Sequence, residues 1–308
     1  MEPVDLTTAD VVRSSLFKKR PSVLGLVFEA LLLAALVLCL LILVVLIAEV
    51  VRDGFGVFAD RGLDFLTSGL SPRAETAGVW QGIMGSLLIM GFVVVLAFPV
   101  GIAAAIYLEE YATDTRFTRL VNVNIRNLAG VPSVVYGLLG LAIFVKLLGD
   151  LTGGRSAMAA GITIAILVLP IVIITAAEAV RAVPITIREA GYGVGATKWE
   201  VIRHHVLPAA APGILTGTVL SLARALGEAA PLILVGAITG FFAIGDQGFV
   251  ERLQGPFTAL PMIVYGWARQ PSPEFRELTS AAIVVLLAVL LTANAAAILL
   301  RNRYERNR

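Results

Sequence analysis

Residues 23–51 form one long apolar run, and a run of that length leaves few options. A helix needs about 20 apolar residues to cross some 30 Å of hydrocarbon, and this run exceeds that. Five more runs bounded by charges follow, at 80–108, 127–148, 157–177, 213–238 and 278–300. Composition agrees. Hydrophobic residues make up 58% of the 308 positions and charged residues 15%, against about 45–50% and about 25% in soluble domains, and the mean hydropathy is +0.89. A backbone in lipid must satisfy its own polar groups, and the alternating segments of a membrane barrel are absent, so all six runs are expected as helices. The expected fold class is an all-α integral membrane protein with six transmembrane helices.

Arg13, Lys18, Lys19 and Arg20 precede the first run in the manner of a secretory signal. The run is too long for a signal core and ends without a small-residue cleavage site, so it reads as a retained span. The chain then divides into a tail at 1–22, a six-helix domain at 23–300 and a tail at 301–308, with no soluble domain appended. Basic residues set the orientation. The two tails, with the second and fourth connections, hold fifteen Lys and Arg, whereas the remaining connections hold seven: Arg52, Arg61, Arg73, Arg155, Arg252, Arg269 and Arg276. The positive-inside rule therefore places both termini in the cytoplasm. Within the last outer segment, 239–277, residues 257–267 are apolar but too short to span. They read as an interfacial helix with Tyr265 and Trp267 at headgroup level.

The net charge of +2 is small and dispersed, so lipid and not nucleic acid is the expected environment. Cys39 is the only cysteine, which excludes an intrachain disulfide. His204 and His205 are adjacent, not four apart on one helical face, so no metal site is expected. No Gly-Lys pair occurs, which excludes a P-loop; the chain is expected to be no enzyme and to bind no cofactor itself.

The fourth connection, about 181–208, is long and mixes helix formers with apolar residues. Its segment 187–191 reads as a short helix that Gly191, Gly193 and Gly195 would break. Thr197 with Glu200 forms a capping box over a second helix to Val206, and Pro208 and Pro212 would mark the turn into the fifth span. Two short helices about a glycine bend make a compact knob suited to a groove on a partner.

The fifth run carries Arg224 and Glu228. An unpaired Arg at mid-membrane costs about 2.5–3.5 kcal/mol on insertion scales, and four-residue spacing lets Glu228 pair with it. Two readings stand: an ion pair that only clamps helices, or an Arg that meets an anion in a water-filled path with Glu228 orienting it. The planar guanidinium fork suits phosphate or sulfate oxygens. Gly213 and Gly217 favour close helix approach. Pro132 fits a first helical turn, and Ser133 is a candidate hydrogen-bonding group on the path, although packing alone would also account for it. Glu109, Glu110 and Glu178 read as solvated span ends.

The fourth connection resembles the cytoplasmic coupling loop of ABC importer permeases, whose pattern is E-A-A, three residues, G, nine residues, then I-x-L-P. Glu189, Ala190, Gly195, Leu207 and Pro208 match it; Gly191 and His205 depart from it. Residues 130–137, 224–232 and 299–304 look like those of the PstA-like permeases of phosphate-specific ABC transport systems. Where some members carry a further Arg and acid, this chain has Ile174 and Ala177. The resemblance implies the type I ABC importer permease fold in a prokaryotic inner membrane and a heterodimer with a PstC-like sister permease. It also implies two ATP-binding subunits, carrying ATP and Mg, docked on the coupling loops, and an extracytoplasmic phosphate-binding protein that delivers substrate. Transport would be alternating access. Sulfate or molybdate permeases are the nearest alternatives, followed by a secondary transporter, which should show discontinuous helices and buried acidic ion-coupling residues.

Overall fold

The computed structural model describes residues 23–238 and 253–306. The tail 1–22 and residues 239–252 of the last outer segment, both assigned above from sequence, lie outside them. Among the described residues the secondary structure is entirely helical. Two compact units divide at Val50 and Val51.

Helix α1, Val23–Arg61, supplies all of the first unit's described residues. Its most apolar stretch has no buried residue within the chain, as a lipid-facing or partner-facing helix requires. In the second unit, the end of α1 meets α10, Pro273–Arg306. A Cβ on Gly54 would lie 2.8 Å from the Ala281 nitrogen, so only glycine allows that approach.

Helix α2 runs Trp80–Tyr111. A wide π-type turn at Val93–Ala97 precedes Pro99, where the missing proline N–H and the ring need extra room. Helix α3, Arg116–Ala129, and helix α4, Ser133–Leu147, meet at 99°. The run 127–148 is therefore not one straight span, because Asn127 to Ala129 belong to a separate amphipathic helix. Pro132 causes the break. It is the extended cap before α4, not part of its first turn, and cannot donate to the Leu128 carbonyl. That carbonyl accepts instead from the Val131 N–H at 3.1 Å and from the Tyr136 hydroxyl at 2.9 Å.

Helix α5, Ala157–Arg181, is the most enclosed span, with 67% of its apolar window buried. Ile164, Val168, Val172 and Val180 are fully enclosed. Helix α6 is Ile185–Gly193 and helix α7 is Lys198–Gly227. Pro208 and Pro212 do not turn the chain. Pro208 follows a π-type turn at Ile202–Val206, Pro212 lies inside the helix, and α7 runs through both. Local π geometry tolerates the missing donor where a regular α-turn would not. At its other end α7 stops at Gly227, short of the expected 238, and a six-residue helix α8, Ala230–Val235, follows.

The expected interfacial helix is α9, Leu260–Ala268, but it is packed inside protein. Trp267 is only 3% exposed and lies between Phe65 and Phe275, with ring centroids 6.3 and 6.0 Å away. It is no headgroup anchor. Tyr265 is part-exposed, and its hydroxyl accepts from Arg269 at 2.7 Å. The reason lies in distant segments: Leu260, Ile263 and Trp267 share one apolar cluster with Val57 of α1, with Phe65, and with Phe275 and Leu278 of α10. Gly82 and Gly85 of α2 make room, since a Cβ on either would collide with Ile263 or Thr258.

Candidate functional site

Two places combine the residues singled out above. One is the gap between α7 and α8. Pro231, in the first turn of α8, has no N–H for the Gly227 carbonyl and its ring would strike it, so the helix ends there. Glu228 leaves the helix with φ −77° and ψ 115°. Arg224, in the last turn, still reaches it: Nε and Glu228 Oε1 are 3.3 Å apart. The pair expected on one helical face thus forms across a helix end, where a cation also faces the negative end of the helix dipole.

Depth follows from packing. A Cβ on Gly213 would strike Ala179, and one on Gly217 would strike Thr175. The G-x-x-x-G spacing therefore does bring α7 close to α5. Advancing four residues on α7 goes back four on α5, so residues 224–225 stand opposite 167–168, the middle of α5. Leu222 and Ala225 share one apolar cluster with Leu167 and Val168, in agreement.

The Arg224 side chain is 46% exposed and that of Glu228 17%. The guanidinium is therefore not sealed into this chain. Residues of α5, α7 and α10 line an open, mainly apolar groove of about 600 Å³, among them Thr175, Glu178, Thr216, Leu220, Ala223 and Asn294; Arg224 is not one of its lining residues. The buried Oδ1 of Asn294 has no hydrogen-bond partner among the described residues. Nearer the loop end of the chain, Arg301 Nη1 donates to Thr216 Oγ1 at 3.2 Å. The Thr175 and Thr216 hydroxyls donate within their own helices, to the Ile171 carbonyl at 3.0 Å and the Pro212 carbonyl at 2.8 Å, so at this level it is the half-exposed fork of Arg224 whose geometry suits an oxyanion. Ser133 opens α4, one turn before Gly137, whose place against Pro231 and Leu234 leaves no room for a Cβ. It is thus close in level to the gap, yet it is not hydrogen-bonded to the ion pair. Around Ile174 and Ala177 the polar groups are Glu109 of α2, Asn122 and Arg126 of α3, and Glu178 and Arg181 further along α5 itself.

The second place is the loop between α5 and α7. Helix α6 runs through Gly191 to Gly193, and the chain turns only at Gly195, with φ +83°. Gly191 is a packing position: a Cβ there would lie 2.7 Å from Val201 Cγ2, which accounts for glycine where the importer pattern has alanine. The capping box forms as expected. Glu200 N–H donates to Thr197 Oγ1 at 3.4 Å, and Thr197 N–H to Glu200 Oε2 at 2.7 Å. Val183, Val201, Ile202 and Val206 are buried beneath. Glu189, Ala190 and Gly195 are exposed, whereas Leu207 and Pro208 are half-buried where the knob becomes α7. His205 points to solvent, so its departure from the importer pattern costs no core contact. Ile185, Tyr192, Val194 and Trp199 are exposed, giving the knob an apolar outer face.

Glu109 and Glu110 are not solvated ends. Their side chains are 15% and 6% exposed, and they pair with Arg181 and Arg188 respectively. Sequence reading missed these partners because they lie 72 and 78 residues away. The one available signal was two acids ending a span and two arginines seven residues apart.

Residues 97–306 match the family described as binding-protein-dependent transport system inner membrane component. The chain is similar to phosphate transport system permease protein PstA 1 of Mycobacterium tuberculosis, with 35% identity covering 76% of this chain and 73% of that one. It is also similar to PstA of Xylella fastidiosa, with 34% identity covering 78% and 81%. Among solved structures it resembles a chain of a bacterial alginate ABC transporter bound to its periplasmic protein, with TM-score 0.62, 16% identity and 94% of each chain covered. It also resembles a chain of the inward-facing MetNI methionine ABC transporter, with TM-score 0.55, 16% identity, and 73% and 97% covered.

Proposed function

The chain belongs to the binding-protein-dependent transport system inner membrane component family, in its phosphate-permease branch, and from that membership we propose that it forms half of the path for inorganic phosphate through an ATP-driven importer. The observation that carries the reading from family to substrate is Arg224, half-exposed at mid-span where one helix ends and the next begins. Helix gaps are the device by which membrane proteins place polar groups at depth without exposing backbone to lipid. A gap is also expected of a secondary transporter, but the loop with Gly195 at its turn would then have no task. The sister permease supplies the other half, and the knob's apolar face with Glu189 and Ala190 seats a partner ATPase that binds ATP and Mg. An extracytoplasmic binding protein delivers the anion.

The test is uptake of labelled phosphate into vesicles that hold this chain, its sister permease and two ATPases, with phosphate-loaded binding protein on the outside. Uptake should require ATP inside and should persist under a hundredfold excess of sulfate, well within the roughly 10⁴–10⁵-fold by which a site built to hydrogen-bond one ligand rejects an analogue lacking that group. Sulfate abolishing uptake would reassign the substrate.

Orientation is part of the proposal: the loop and both termini face the cytoplasm. With Cys39 replaced, cysteines at the exposed positions Glu75 and Glu274 should react with an impermeant thiol reagent added to intact cells, and one at Thr113 should not. Labelling at Thr113 alone would invert the arrangement.

A further inference from the structure

The loop that seats the ATPase is continuous only with α5 and α7, yet it grips the end of α2 at three points. Glu109 takes Arg181 from the end of α5, Glu110 takes Arg188 from α6, and the Tyr111 ring lies 4.9 Å from Lys198 Nζ at the start of α7. The three contacts are not equal. Arg181 is 57% exposed, whereas Arg188 and Glu110 are 17% and 6% exposed. Nε and Nη2 of Arg188 donate to Glu110 Oε1 at 3.0 and 2.7 Å. Nη1 donates to the Val183 carbonyl at 2.7 Å, and Nη2 also to the Val180 carbonyl at 2.9 Å. One guanidinium therefore joins α2, the end of α5 and α6. Its donors also satisfy carbonyls that a helix end leaves unpaired.

Elsewhere α2 and α5 meet through close apolar contacts, such as Gly101 on Val172 and Phe92 on Gly161. Apolar faces can slide past each other at little cost, whereas a desolvated charge pair with four directed bonds fixes register. We propose that Arg188 is a positioning residue that makes α2 move with the coupling loop, so that the ATPase stroke reaches a span to which the loop is not covalently adjacent. The proposal rests on the coupling role given above. The fork matters: a lysine ammonium can reach Glu110 but cannot also hold both carbonyls in this geometry.

The test uses the whole complex in vesicles, on a background without Cys39. Spin labels go at Tyr107 on α2 and Leu299 on α10, both exposed. In the otherwise wild-type complex ATP should shift the distance between them. Arg188→Gln should assemble with its partners but lose that shift, with substrate-stimulated hydrolysis and uptake falling about tenfold, the size of a typical coupling between sites. Arg188→Lys should recover part of both. Glu110→Gln should match Arg188→Gln, and the double variant should be no worse than either single one, since all remove the same link. If Arg188→Gln does not assemble, Glu110→Gln decides alone, because it leaves the carbonyl bonds in place. An undiminished ATP-driven shift in an assembled variant overturns the proposal. A wild-type complex that neither imports phosphate nor responds to ATP would instead refute the coupling role on which it rests.

Discussion

Changing Arg224 to Met together with Glu228 to Leu is expected to abolish phosphate uptake while the complex still assembles. The double change is the informative one. Removing one partner of a sealed pair costs about 3–5 kcal/mol, so loss of function in a single variant could reflect misfolding, whereas replacing both with apolar residues of like volume is often neutral or stabilising. At 46% exposure Arg224 is not a sealed clamp within this chain, and the core beside it is carried by Leu222, Ala225 and Val168. Copurification with the partners and labelled-phosphate uptake are the measurements. Arg224→Lys keeps the charge but loses the fork and should fall between wild type and the double variant. Uptake at the wild-type rate in the charge-free variant would eliminate Arg224 as an anion contact.

Gly195→Val should uncouple the transporter. The φ of +83° is a left-handed backbone that costs ordinary residues about 1–2 kcal/mol and β-branched ones more. A Cβ at Gly195 would meet nothing within 4 Å, so room is not the constraint and the backbone alone is. Valine would therefore redirect the chain between α6 and α7 and displace the exposed Tyr192, Val194 and Trp199 from their partner. Substrate-stimulated hydrolysis is expected to fall more than about tenfold with the protein still in the membrane. Gly195→Asn, which tolerates this conformation, should keep most of it. Equal stimulation in Val and wild type would show that the turn does not serve docking.

Apolar length alone sets the membrane class, because no packing arrangement can hide that much of it from water. The loop is equally legible, since its turn and cap are written in local signals: a glycine suited to positive φ, and Thr197 with Glu200 three residues on. The pairing of Arg224 with Glu228 was legible from spacing, although it forms across a helix end and not on a helix face. Where the spans break, which apolar segments are buried and what the end of α2 holds depend instead on how the helices pack. Pro132 and Pro231 end helices whereas Pro170 and Pro212 sit inside them, because a missing donor is tolerated wherever neighbours or a wider turn absorb it. Trp267 went inward because Phe65 and Phe275 enclose it, a fact about distant segments. The Arg188–Glu110 bridge joins residues 78 apart, and such a pair leaves no periodic mark in a sequence. Local chemistry is read along the chain, but partners across it are set by which helices the burial of apolar surface brings together.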